Sequence, residues 1–152
     1  MNQQELKVIA RAIVDSSLYM TLGTADEAGR PWATPVYFAP AGYSEFYWVS
    51  SPETRHSSNL AARPELGIVI FDSRAPIGTG QGVYMSAAAG ELVGSDRDRA
   101  IDIFSRRSVS HGGEPWMLED VSAPARLRLY CAIASEHFVL DSRDRRTAVG
   151  LE

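Results

Sequence analysis

Leu6, Ile9, Ala10 and Ile13 recur at the spacing of one helix face, with Lys7 and Arg11 turned outward. The chain is therefore predicted to open on an amphipathic helix within residues 1–17. Leu18, Met20 and Leu22 then alternate with Tyr19, Thr21 and Gly23, the period of two that marks a strand. Asp26-Glu27-Ala28-Gly29 supplies a turn, with Gly29 free to adopt a left-handed conformation. A second strand follows, with Trp32, Thr34, Val36 and Phe38 on one face. Pro31 and Pro35 cannot donate ladder bonds, so this strand should be exposed along one side or locally irregular. Residues 41–44 turn the chain into a third strand over residues 45–49.

Residues 66–71 are almost continuously apolar and predict a strand buried on both faces. Residues 76–82 form a glycine-rich loop, but no Gly-Lys-Ser/Thr follows and a strand comes next, which argues against a nucleotide-triphosphate loop. Residues 83–93 predict a long strand with small side chains from Ser86 to Gly90. These permit close approach of a flat ring or a bend at a barrel corner. Ser95-Asp96-Arg97-Asp98 resembles a capping box opening a short helix that carries Ile101 and Phe104 and closes on Arg106-Arg107. Residues 108–124 lack periodicity and read as a lid or a crossing connection. Leu127, Leu129, Cys131 and Ile133 alternate with Arg126, Arg128, Tyr130 and Ala132 in a closing strand that continues through residues 138–140. Residues 142–152, with Arg143-Asp144-Arg145-Arg146, read as a solvated tail. Six strands without regular intervening helices predict a mainly β (α+β) fold, a six-stranded antiparallel barrel in one domain over residues 1–152.

One stretch breaks a charge rule. Ser51-Pro52-Glu53 looks like a helix start, with serine as N-cap and proline at the first helical position. Arg55 and His56 then fall at the positive end of the helix dipole, where cations are disfavoured. A phosphate would reverse that penalty by accepting bonds from helix N–H groups, the Ser51 and Thr54 hydroxyls and the guanidinium. A solvated surface helix accounts for the same residues.

The run from Tyr19 to Phe38, with its Gly29-Arg30-Pro31-Trp32-Ala33-Thr34-Pro35-Val36 core, carries a resemblance that bears on this choice. Together with Phe46-Tyr47-Trp48-Val49-Ser50 and Thr54-Arg55-His56 it resembles the pyridoxamine 5'-phosphate oxidase-like family of FMN-binding split barrels, from about Leu6 to about Asp141. The resemblance implies FMN, with the deazaflavin F420 or haem as the cofactors of other relatives, haem being disfavoured because no histidine stands out as an axial ligand. It implies that Trp32, Ala33, Thr34 and Pro35 lie along the isoalloxazine edge. Val49 and Ser50 would approach the ribityl chain and phosphate, and Thr54, Arg55 and His56 match the family's Ser-Arg-Lys triplet. Gln81 resembles a glutamine that contacts the ring. It also implies a homodimer with the cofactor at the subunit interface, and Tyr37, Tyr47 and Trp48 are expected on the shared surface. The end, residues 137–146, departs from the Trp-x-x-x-Arg-Leu-His-type segment of authentic oxidases, which puts pyridoxal phosphate synthesis in doubt.

Composition changes this picture little. The chain of 152 residues has net charge −4, and Lys7 is the only lysine among fifteen basic residues, with no basic tract interleaved by aromatics. Nucleic-acid binding has little support. The three histidines lack metal-ligand spacing, and no Gly-x-Ser-x-Gly elbow is present. Cys131, the lone cysteine, excludes an internal disulfide and should be a buried thiol. No apolar run spans a membrane and the start lacks a signal-peptide pattern, so the expected location is cytoplasmic. Side chains alone supply no strong acid, base or nucleophile, so no catalytic residue and no metal ligand is assigned. The reading is a borrowed reactive group acting on a small molecule: a flavin-dependent oxidoreductase, or a flavin-binding module without turnover.

Overall fold

The computed structural model describes residues 1–151 and contains three helices and eight strands. Helix α1 (Gln3–Ser16) leads into β1 (Tyr19–Ala25), β2 (Pro31–Tyr37), β3 (Ala39–Ala41) and β4 (Glu45–Ser50). Helix α2 (Arg55–Ala62) precedes β5 (Glu65–Phe71) and β6 (Gly82–Glu91). Helix α3 (Gly94–Ser110), a 3-10 turn (Leu118–Val121), β7 (Arg128–Leu140) and β8 (Arg146–Ala148) complete the chain. One antiparallel sheet runs in the order β2-β1-β5-β6-β7-β4-β3, with β8 added to β7. Phe38 joins β2 directly to β3, so the two edges of the sheet are consecutive in the chain and the sheet curls into a split barrel.

Two more strands appear than the sequence predicts. Strand β3 is only three residues long, and β8 converts the expected tail into a hairpin. Asp141 makes that hairpin. Its carboxylate accepts from the backbone N–H groups of Arg145 and Arg143 and from the Arg145 side chain, which hold it down at about 2. Val149 and Leu151 then bury themselves in the main core instead of trailing in solvent.

The interior is filled from both ends. Leu6, Ala10 and Val14 of α1 enter the same core as Met20, Phe38, Ile70 and Val83. Since α1 runs into the start of β1, this plugs one end of the barrel. Helix α2 sits at the other, where Asn59 bonds Thr24 near the end of β1. Helix α3 covers the outside of β3, β4 and β7 through Ala100, Ile101 and Phe104. It starts at Gly94, ahead of the expected capping box; Val93 occupies the N-cap position and makes no side-chain cap bond. It also runs on to Ser110, so residues 108–124 begin as helix, and Trp116 then packs edge-on against Phe104.

The outside of β2, β1, β5 and β6 has no such cover. Strand β5, expected to be buried on both faces, buries only Leu66, Ile68 and Ile70, and Phe71 stays 52% exposed. The aromatic residues expected on a shared surface are instead used within the chain. Trp48 is buried against Tyr130 with interplanar angle 12°, Tyr47 lies under α3, and Tyr37 packs on Phe104. Burial pushes the Tyr47 hydroxyl up to about 12 and the Cys131 thiol up to about 11, so both stay neutral at physiological pH.

Candidate functional site

The uncovered face carries a cross-strand row of small residues. Gly23 lies opposite Ala33 on one side and Gly67 on the other, and Gly67 lies opposite Ser86. These residues floor an open cleft of about 900 Å³ walled by Pro31, Trp32, Glu65 and Ser135. A Cβ at Gly67 would meet no atom of the described residues beyond its two chain neighbours within 4 Å. Nothing among the described residues requires glycine there, and the space above it is open.

At the Trp32 end the cleft adjoins a smaller pocket of about 350 Å³ lined by Asp26, Arg30, Pro31, Arg55 and Asn59. The Arg55 guanidinium carbon sits 4.2 Å from the centroid of the Trp32 ring, a cation–π contact that holds the cation at the junction of the two spaces. Arg30 is paired with Asp26 at 2.9 Å, which leaves Arg55, among the described residues, as the cation without a carboxylate partner at this position.

Helix α2 begins later than its sequence suggests. The Ser51 carbonyl accepts from the Thr54 N–H at 3.2 Å and from the Ser57 hydroxyl at 2.8 Å, which turns the chain for one more step. Thr54 is the N-cap, its hydroxyl accepting from the Ser57 N–H, and Arg55 is the first helical residue. Ser51 is therefore a turn residue, its hydroxyl accepting from the Glu53 N–H, rather than the cap.

His56 turns inward. Its Nε2 lies 2.8 Å from the Ser50 hydroxyl and 3.4 Å from that of Thr54, and burial lowers its pKa, so the ring is neutral at pH 7. The structure thus separates the expected triplet, with Arg55 facing the pocket while His56 and Ser50 face the barrel interior. Val49 packs toward α3. Trp32 and Ala33 line the cleft; Thr34 and Pro35 continue the same edge strand, which pairs only with β1. Gln81 is elsewhere. Its side chain brackets the Leu140 backbone, accepting from its N–H at 2.8 Å and donating to its carbonyl at 2.7 Å, five residues along β6 from Ser86. That is about 17 Å of strand.

The sequence marks Ser86 as part of a run of small side chains that a flat ring could approach, but it does not mark Gly23, Thr24, Gly67 or Asn59. The four that line the cleft come from three strands and only pairing aligns them, while the signal for Asn59 was no more than its place one turn after Arg55.

Residues 8–137 match the family model described as pyridoxamine 5'-phosphate oxidase. The chain belongs to this family. No curated protein sequence matches it. Among solved structures, a heme binding protein from Mycobacterium smegmatis superposes with TM-score 0.73 at 18% identity over 91% of this chain, which spans only 55% of that protein. HutZ, the heme storage protein from Vibrio cholerae, gives 0.67 at 17% identity, covering 89% of this chain and 92% of that one. An F420 reductase gives 0.63 at 15% identity, covering 84% and 94%. Such identities show a shared fold. As a member of the pyridoxamine 5'-phosphate oxidase family the chain shares its fold with proteins described as heme-binding and with an F420 reductase. None of its three histidines lines the cleft, and His111 and His137 are engaged by the Tyr37 hydroxyl and the Tyr43 carbonyl. No cluster of candidate metal ligands occurs among the described residues. None of their helices is long and apolar enough to cross a membrane.

Proposed function

We propose that this protein is an FMN-binding oxidoreductase acting on a small molecule. The observation that carries the reading is Arg55, held on the Trp32 ring at the mouth of a pocket that opens into a flat, small-residue cleft. A guanidinium remains charged at all relevant pH values and can bond two phosphate oxygens at once. One such pocket suits one terminal phosphate, and the chain has no dinucleotide fingerprint, which favours FMN over FAD. Trp32, Ala33, Thr34 and Pro35 would hold the ring edge, Arg55 with the Thr54 end of α2 the phosphate, and the Gly23–Gly67 row leaves room for the ring plane. Bound there, FMN would supply the hydride and electron transfer that the side chains lack. Pyridoxamine phosphate oxidation itself is disfavoured: where the authentic enzymes carry their substrate segment, the Asp141 carboxylate is committed to the β7–β8 turn by the Arg143 and Arg145 backbone N–H groups and the Arg145 side chain.

A second copy of the chain completes this reading. The outward apolar side chains of Val69 and Phe71 explain why β5 looks doubly buried in sequence, since a two-fold partner laid on the bare face would bury them. The flavin would then lie between subunits.

Reconstitution with FMN, FAD, riboflavin and F420 tests the proposal. Tightest binding of FMN, to a sedimenting dimer whose melting temperature FMN raises, is the expected result. Riboflavin binding as tightly as FMN would remove the phosphate site, preference for F420 would replace the cofactor, and a monomer carrying full flavin would remove the interface.

A further inference from the structure

Helix α2 is eight residues long, too short to be stable alone, so its orientation depends on what it bonds to. Its bonds through His56 and Ser57 run to Ser50, the last residue of β4, and to Ser51 and Thr54 in the turn that follows β4. Asn59 does something different. It lies one turn beyond Arg55 and so on the same side of the helix. Its side-chain amide donates to the Thr24 hydroxyl at 3.0 Å, with both residues buried. Thr24 in turn lies directly opposite Trp32 in the β1–β2 ladder, and its hydroxyl approaches the Trp32 carbonyl at 3.5 Å. Trp32 carries the Arg55 guanidinium. The contacts form a closed ring, from Arg55 along α2 to Asn59, across to Thr24, over the ladder to Trp32 and back to Arg55. Leu60, packed in the core, fixes how deep α2 sits, but an apolar contact is non-directional and cannot set the rotation of the helix.

We propose that Thr24 and Asn59 are positioning residues for Arg55, fixing the rotation of α2 so that the guanidinium lies over Trp32 and faces the phosphate pocket. The ligand chemistry rests on the FMN reading above, while the positioning itself is a property of the chain without ligand.

Two measurements separate the claims. In the apo protein, the Trp32 ring current displaces the Arg55 Nε–Hε NMR resonance, assigned by its absence in Arg55→Lys. That displacement should vanish in Thr24→Val and Asn59→Leu and survive in Thr24→Ser, which keeps the hydroxyl. An unchanged resonance in the Val and Leu variants would overturn the proposal. Should Thr24→Val not fold, Asn59→Leu carries the same test. In titrations, Thr24→Val and Asn59→Leu should weaken FMN roughly fivefold, the scale of one net hydrogen bond, and leave riboflavin within about twofold. In an Arg55→Ala background the further loss should disappear, because the pair acts through that arginine. Equal losses for FMN and riboflavin would mark a general structural role and refute the positioning. If the wild-type chain binds no FMN, the functional reading fails while the apo resonance still judges the pair.

Discussion

The two ends of the barrel are closed in opposite ways. Helix α1 fills one end with Leu6, Ala10 and Val14, all buried and all apolar. Helix α2 fills the other with His56, Ser57 and Asn59 beside Leu60, and each polar group finds a partner in Ser50, Ser51 or Thr24. Apolar packing of the first kind stabilises a fold without fixing an orientation closely. Hydrogen bonds buried in low dielectric are directional and costly to leave unmade, so the second kind holds α2 in one pose. Precision is concentrated at the end where a charged ligand is proposed to meet the protein. The contrast separates stability from recognition, and it can be broken at either end.

The largest effect belongs to the apolar end. Leu6→Ala should cost about 2–5 kcal/mol, because deletion of a buried leucine side chain leaves a cavity as well as losing transfer energy. Urea unfolding of the apo protein measures this. The ratio of FMN to riboflavin affinity should not move, since α1 lies at the far end from Arg55. A changed ratio would show that the two plugs are coupled.

Arg55→Ala should do the reverse. FMN affinity is expected to drop by about 1.5–3 kcal/mol, the range for hydrogen bonds to charged groups, with riboflavin barely affected. Apo stability should scarcely change, because the side chain is exposed and its partner is a surface ring. Isothermal titration with both ligands, beside a urea curve, decides it. An equal loss for the two ligands would place Arg55 at the ring or in the fold.

These two ends were not equally legible in the sequence. The apolar spacing of α1 is a local signal, and the helix forms where that spacing places it. The alternation of β1 and β7 was legible for the same reason, as was the edge position of proline-bearing β2. At α2 the local signal misled, because Ser51-Pro52-Glu53 has the chemistry of a helix start while the Ser51 carbonyl is already taken by Thr54 and Ser57. No rule based on neighbours sees that competition. The apolar run of β5 was read as burial on both faces, although one of its faces is bare in the single chain. Thr24 and Asn59 are 35 positions apart, and only barrel closure makes them partners.

A smaller effect sharpens the polar end. Thr54→Ala removes the hydroxyl that caps α2 and lies 2.7 Å from the Ser57 hydroxyl, and should cost about 1 kcal/mol, the usual value of an N-cap. Thr54→Ser should restore most of it. Denaturant midpoints of the three proteins measure the difference, and an alanine variant as stable as wild type would show that the Ser51 turn holds α2 without its cap.

The last prediction turns on the sign of a pH dependence. His56 is buried against Ser50, and its folded pKa is lowered by burial below the ordinary value of about 6.5 that applies when the chain unfolds. Between those two values the unfolded chain binds more protons than the folded one, so stability rises with pH. The contribution of His56 is fully present above about 6.5 and is lost as the pH falls through the lower, folded value. His111 is shifted the same way, by burial and by Arg107, so the assignment needs His56→Gln and His111→Gln side by side. Loss of acid sensitivity in His56→Gln is the expected result in urea melts of the apo protein. A histidine facing a phosphate would behave oppositely, since the bound anion would raise its pKa and FMN would bind more tightly as the pH fell. If FMN affinity climbs below pH 6.5 in the wild type and not in His56→Gln, the imidazole reaches the cofactor and α2 is not a neutral plug.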